Sequence, residues 1–238
     1  MGRLGEFARG ARGMVVVGAL PTLAASLVPA AIAAFSVTHP DVVVLVHDDL
    51  NGQIVEGVLE GRIDIGITIE DATGKEVTFR KLTTDRLVAI GASKFNLPHS
   101  AISWRELAEL PLIAFHPSSS IRQLTDHGFR QAGINFKPSY EIRLLATAGG
   151  LLGACLGVAA LPELALRQLA IDPDKITEMA ISPLISPIVT RELGLLTSSR
   201  RGLSPAANAF LQCLCAQARA FSSRTEDTTT MAAVNVDL

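Results

Sequence analysis

VVVGALPTLAASLVPAAIAAFSVTHPDVVVLVHDDLNGQIVEGVLEGRIDIGI, residues 15–67, decides the fold of this 238-residue chain. Three apolar runs rich in β-branched residues, Met14 to Ala19, Val42 to His47 and Ile63 to Ile69, are separated by segments of helical periodicity, which makes a β-α-β-α-β unit. Runs apolar on both faces belong to a parallel sheet covered on both sides. The turns Leu20-Pro21-Thr22 and Asp48-Asp49-Leu50-Asn51 each open a helix. In such a unit the strand ends and helix N-termini gather at one edge, where small ligands bind.

Outward from that stretch, the grammar repeats. A helix from Thr22 to Thr38 has Leu23, Leu27, Ala30, Ala34 and Phe35 recurring at helical spacing, with a kink or register adjustment expected at Pro29, and a second helix after Asn51 ends at Gly61. Past a polar loop, Asp71 to Lys75, comes a short strand, Val77 to Leu82, then a break at Thr83-Thr84-Asp85. The strand Arg86 to Gly91 opens a second block of βα units. There, Ser103 and Glu106 form a capping box for the helix starting at Trp104, and Leu112 to Phe115 leads through His116-Pro117-Ser118-Ser119-Ser120 into a helix from Ile121 to Ala132. Tyr140 to Leu145, a small-residue helix from Thr147 to Leu156, and Val158 to Leu161 follow.

A helix from Glu163 to Gln168 precedes an irregular Pro-rich segment through Pro173, Pro183 and Pro187. The strand Arg191 to Thr197 returns to the first block, with Arg86 to Gly91 as its expected partner. Ser204-Pro205 starts a last helix with a buried face of Phe210, Leu211, Leu214, Ala218 and Phe221. The expected organisation is a linker end at 1–12, a first subdomain at 13–85 plus 198–222, a second at 86–197 with crossover strands near 86–91 and 191–197, and a disordered tail at 223–238.

With 48% hydrophobic residues the chain is long enough to bury one large core or two smaller ones. A net charge of −2 without any block of five like charges supplies no footprint for direct nucleic-acid binding. Three cysteines, Cys155, Cys213 and Cys215, argue for a reducing compartment and against a disulfide scaffold. The basic and apolar N-terminal run is read as a folded strand, since β-branched Val15-Val16-Val17 and the prolines at 21 and 29 suit neither a signal peptide nor a membrane span. The expected location is cytoplasmic.

Six landmarks in order carry a resemblance: LPTLAASLVP with FSVTHPDVVV, VLEGRIDIGI, LVAIGAS, ISWRELAELPLIAFHPSSSIRQL, GACLGVAALPELAL, and LGLLTSSRRGLSPAANAFLQCL. From about Gly13 to Phe221 the chain resembles the effector-binding domain of LysR-type transcriptional regulators. The resemblance implies an α/β fold of the type-II periplasmic-binding-protein kind, with two Rossmann-like subdomains joined by two crossover strands and an effector in the cleft between them. It also implies a homodimer through the first subdomain, side by side and antiparallel, and a tetramer in the full-length regulator. DNA contact comes only through an N-terminal winged helix-turn-helix outside these residues; no membrane partner and no cofactor or metal is implied. One departure is Cys155-Leu156-Gly157, where the family has Gly-x-Gly.

The family's first pocket element, a Ser or Thr at the start of the first helix, falls on Thr22, beside Pro21. A hydroxyl and the unpaired N–H groups of a helix start suit an anion, and the same residue suits a plain N-cap; both readings stand. At Asn51, the matching turn after the second strand, capping leads. The family's polar turn of the second subdomain falls on Pro117, Ser118, Ser119 and Ser120, whose hydroxyls and N–H groups can hold a carboxylate without a fixed positive charge. Thr68 and Thr147 are further candidates at the same rims, while Arg122 and Arg143 are read as ordinary exposed arginines. The expected effector is a small organic acid or related anion. No nucleophile elbow, Walker loop, zincin helix or Cys-x-x-Cys motif is present, so an enzyme is not expected. The remaining alternative is a solute-binding protein of the same fold.

Overall fold

The computed structural model describes residues 13–70 and 76–234, with side chains described to Arg219. The readings of Met1 to Arg12, of the loop Asp71 to Lys75 and of Phe221 lie outside them. Two compact units result: the first takes residues up to Thr83 and from Glu192 onward, the second Thr84–Arg191.

The first unit starts as β1 (Met14–Ala19), α1 (Pro21–Ala24), α2 (Val28–Thr38), β2 (Val43–Asp48), α3 (Asn51–Glu60) and β3 (Ile65–Ile69). β1 lies between β2 and β3 and pairs in parallel with both, Val17 facing Val46 and Ile65. Val15, Val17, Ile65 and Ile67 are fully buried, as strands covered on both faces require. Gly61 ends α3 in the left-handed conformation, φ 80°, and the Arg201 guanidinium packs where a side chain on Gly61 would lie while donating to the Val58 carbonyl at 2.8 Å. The expected single helix through Pro29 is instead two. Pro29 stands in the first turn of α2, where a missing N–H costs nothing, so it starts that helix and does not kink a longer one.

β4 (Val77–Ala92) carries the chain into the second unit. The break expected at Thr83-Thr84-Asp85 does not occur, because β-branched threonines suit extended backbone and Asp85 finds a buried partner. β5 (Ile102–Ser103), α4 (Trp104–Ala108), β6 (Ile113–Phe115), α5 (Ser120–Gln131), β7 (Tyr140–Ile142), α6 (Leu145–Gly153) and β8 (Val158–Pro162) follow. The Ser103–Glu106 capping box is present, with the Ser103 N–H donating to Glu106 Oε2 at 2.8 Å and the Glu106 N–H to Ser103 Oγ at 3.2 Å. Glu163–Gln168 is a 3-10 helix. The Pro-rich stretch read as irregular contains α7 (Pro173–Ile176) and β9 (Met179–Ile185), whose alternating burial marks a strand with one face in the core.

β10 (Thr190–Ser198) returns to the first unit and pairs antiparallel with β3, Leu195 facing Ile67. Its other neighbour in the sheet is β4, the strand that contains the expected partner Arg86 to Gly91, but the stretch Leu87 to Gly91 itself has no free edge, since β8 pairs along one side and β9 along the other. β6 and β7 form a separate parallel pair. α8 (Pro205–Val234) runs past Ser222, where a disordered tail was expected, through a stretch with no glycine or proline to stop it. Its Phe210 ring meets Phe35 of α2 edge-on at 5.3 Å. In the second unit Trp104 is fully buried, meets Phe129 edge-on at 4.9 Å and donates its indole N–H to the Pro187 carbonyl at 2.8 Å.

The two ends of the second unit are tied together. Arg191 at the start of β10 donates from Nε and Nη2 to Asp85 Oδ2 on β4, at 3.0 and 2.7 Å, and Asp85 Oδ1 accepts the Leu164 N–H at 3.3 Å. Burial pushes the Asp85 carboxyl up and the Arg191 guanidinium down from their ordinary values, against the attraction each exerts on the other.

Candidate functional site

In the first unit the carboxyl ends of β1, β2 and β3 bring residues 20–22, 48–51 and 68–70 to one rim. Thr22 is buried, and it is the second residue of the four-residue α1; Leu20 holds the N-cap position, so the capping reading of Thr22 falls. A helix of one turn has little dipole to offer an anion. Asn51 is likewise the first residue of α3 and not its cap; Leu50 occupies the cap position, and Gln53 Oε1 accepts its N–H at 3.3 Å. The Asn51 side chain turns to the sheet instead, where the hydroxyl of fully buried Thr68 donates to its Oδ1 at 2.5 Å. That bond uses the oxygen of the amide and fixes its plane. Pro21 is exposed at the start of α1.

The charge at this rim was not weighed in the sequence. Asp48, Asp49 and Glu70 put three carboxylates there, and residues 20–22, 48–51 and 68–70 include no cation. The signal was legible as Asp-Asp at the end of the second strand.

In the second unit β6 and β7 run parallel, so His116 to Ser120 and Arg143 leave adjacent strands at the same edge. The His116 N–H donates to the Ile142 carbonyl at 2.7 Å, which closes the turn against β7. Ser119 is the N-cap of α5, its Oγ accepting the Ile121 N–H at 3.2 Å. His116 Nδ1 accepts the Ser118 N–H at 3.2 Å and lies 2.9 Å from the Ser118 hydroxyl. Ser120 opens α5, and its hydroxyl has no hydrogen-bond partner among the described residues. Pro117 and Ser118 are exposed. Thr147 is exposed at the third position of α6 and does not open that helix.

Arg122 is occupied elsewhere: it donates to Asp126 Oδ1 at 2.7 Å and to the Phe115 carbonyl at 2.9 Å, and lies 5.3 Å above the Phe136 ring. It braces the end of β6 behind the serine turn. Arg143 is exposed, and residues 116–120 and 143–147 carry one histidine, one arginine and no carboxylate. The structure thus groups Thr22, Asn51 and Thr68 on one unit and Ser118, Ser119 and Ser120 on the other, with Thr147 three residues into the helix that follows β7. Among the described residues no group of three or more His, Cys, Asp or Glu side chains could hold a metal ion, and His47-Asp48-Asp49 form none.

The family model described as the LysR substrate binding domain matches residues 8–219. The chain is 29% identical over 204 residues to the HTH-type transcriptional regulator YbhD of Escherichia coli K12, covering 85% of this chain and 63% of that protein. It is 25% identical over 203 residues to the nitrogen assimilation regulatory protein nac of the same organism, covering 85% and 65%. The chain therefore spans a little under two thirds of these relatives' length. Among solved structures, the effector binding domain of QuiR in complex with shikimate superposes with a TM-score of 0.73 at 20% identity, covering 88% of this chain and 98% of that one. The Synechocystis PCC6803 CcmR regulatory domain in complex with 2-PG gives 0.74 at 16% identity, covering 85% and 96%. Both likenesses are of fold, the periplasmic-binding-protein-like architecture of such regulatory domains.

Proposed function

Because the chain belongs to the LysR substrate-binding domain family, we propose that it is the small-molecule sensor of a LysR-type transcriptional regulator and acts by binding, without catalysis. The observation that supports this reading is the pair of donor-lined rims, each at the carboxyl ends of parallel strands and opposite in charge.

The effector is a small organic acid that also carries hydroxyl or amino groups. Its carboxylate goes to the serine turn, Pro117 to Ser120, where the N-terminal N–H groups of the 12-residue α5, the Ser120 hydroxyl and Arg143 favour negative charge. The rim of Thr22, Asn51 and Thr68 on the first unit suits hydroxyl or ammonium groups, since Asp48, Asp49 and Glu70 disfavour a carboxylate there. Thr147 contributes at the edge of the second rim. The reading accordingly keeps the anion at the serine turn and drops it from the Thr22 rim.

A thermal-shift screen of hydroxy acids, amino acids and aromatic acids tests it, since a ligand of the native state raises the melting temperature by mass action. With a hit in hand, Ser120→Ala and Thr22→Val should each weaken affinity by about fivefold, the worth of one hydrogen bond of about 1 kcal/mol. A ligand whose calorimetric affinity neither substitution alters binds elsewhere.

Homodimerisation through the first unit is part of the same proposal. β2 ends the strand order of that unit, and its Val43 and Leu45 are 51% and 40% exposed, with Val37 of α2 at 81%. A hydrophobic edge strand of this kind is normally covered. Leu45→Lys should convert a dimer to a monomer in light scattering. DNA contact and tetramer assembly are assigned to the part of the regulator outside this chain, and the location to the cytoplasm. No helix among the described residues is long and apolar enough to cross a membrane.

A further inference from the structure

The first unit carries a groove far in sequence from either rim, between the first half of β4 and one face of α8. Its space is about 370 Å³, within the range of about 300–1,000 Å³ usual for small-molecule pockets. Asn208, Leu211, Gln212, Cys215 and Arg219 recur three or four residues apart and so share a helix face, next to the buried face of Ala207, Phe210, Leu214 and Ala218. Arg80 of β4 forms the opposite wall.

The charge of this groove is unbalanced. Among the described residues no acidic side chain lines it. Arg80 and Arg219 have no carboxylate partner among the described residues, whereas nearby Lys81 is paired with Glu192 at 2.5 Å and Arg200 with Glu76. Two guanidinium groups facing one space raise each other's energy, and an anion placed there relieves both. Leu211 and the half-buried Cys215 supply an apolar wall, and the amides of Asn208 and Gln212 supply further hydrogen bonds.

We propose that this groove is a second ligand site, taking a small aliphatic dicarboxylate whose two carboxylates meet Arg80 and Arg219 and whose methylenes lie on Leu211. It is independent of the effector rims. Cys215 reports on it directly, and Cys213, which does not line the groove, is the internal control.

The test is alkylation of the 238-residue chain by iodoacetamide, read at each cysteine by peptide mass spectrometry, with succinate as the probe. At ten times its dissociation constant succinate should slow alkylation of Cys215 about tenfold, the factor by which mass action reduces the unliganded fraction, and leave Cys213 unchanged. The protection should be lost in Arg80→Ala and in Arg219→Ala, both exposed positions outside the core, and kept in Thr22→Val and Ser120→Ala, which report on the effector rims. Protection by uncharged succinamide equal to that by succinate overturns the proposal. So does protection that survives both arginine substitutions, or the absence of any protection by succinate.

Discussion

Removal of the Asp85 carboxylate tests how the second unit is closed at its ends. The perturbation is Asp85→Ala. It leaves the Arg191 guanidinium, 4% exposed, without the carboxylate oxygen it reaches at 2.7 and 3.0 Å, and the Leu164 N–H without its acceptor at 3.3 Å. Breaking one side of a buried pair costs about 3–5 kcal/mol, because the surviving charge stays desolvated. For a unit of roughly one hundred residues each kcal/mol moves the melting temperature by about 4–8 °C, so a fall of at least 10 °C or so is expected. The double substitution Asp85→Leu with Arg191→Met should recover the loss, to within about 1 kcal/mol of the wild type or above it, since desolvation outweighs attraction in such pairs. Thermal melts and urea titrations followed by circular dichroism measure all three proteins. A loss below about 1 kcal/mol for Asp85→Ala, or a double variant as damaged as the single one, refutes the reasoning. β4 and β10 are the two strands that carry the chain between the units, so the same variants should also change hydrogen exchange at residues 84–87 and 189–192.

Thr68→Val removes the hydroxyl that holds Asn51; the expected cost is about 1 kcal/mol in urea unfolding, with effector affinity falling alongside, and a changed stability with unchanged affinity takes Asn51 out of the site. At Gly128 of α5 an added Cβ would lie 2.2 Å from the Trp104 ring, so Gly128→Ala should destabilise by about 1–3 kcal/mol despite the better helix propensity of alanine; a raised urea midpoint contradicts this. Hydrogen bonds from the Ser103 hydroxyl and N–H hold the Glu106 carboxyl below its ordinary value, so its contribution to stability is present above that ordinary value and is lost as pH falls through the lowered one. An NMR titration should show the Ser103 amide moving with Glu106 in that acid range, and lose the step in Glu106→Gln.

Local patterns were legible wherever one residue's chemistry suffices. The three parallel strands of residues 15–67 follow from apolar runs spaced by helical segments, the Ser103–Glu106 box from two residues three apart, the end of α3 from Gly61, and the Ser119 cap from a serine before an amphipathic run. The landmarks pointed to the family that the comparison then showed. The candidate residues around Thr22 and the serine turn came from the resemblance to the family, and the strand-turn-helix junctions that carry them are visible in sequence.

What sequence left open depended on partners distant in the chain. The β-branched threonines at 83 and 84 suit a strand, but that β4 runs on through Asp85 depends also on Arg191, 106 residues away. β9 was hidden by Pro183, whose place in a strand is set by pairing with β4 and not by its own propensity. Asn51 was read as a cap because capping is the local use of asparagine; its amide instead answers Thr68, seventeen residues on. Arg80 and the face of α8 share no segment, so only the folded first unit brings their charges to one groove. The sequence by itself determined which segments are strands and helices and which turns reach a rim, because those depend on periodicity and on single turn residues. Tertiary structure alone decided which strand edges are filled, where Asn51 points and which charges go unpaired, because each of those is a property of two residues meeting and not of either one.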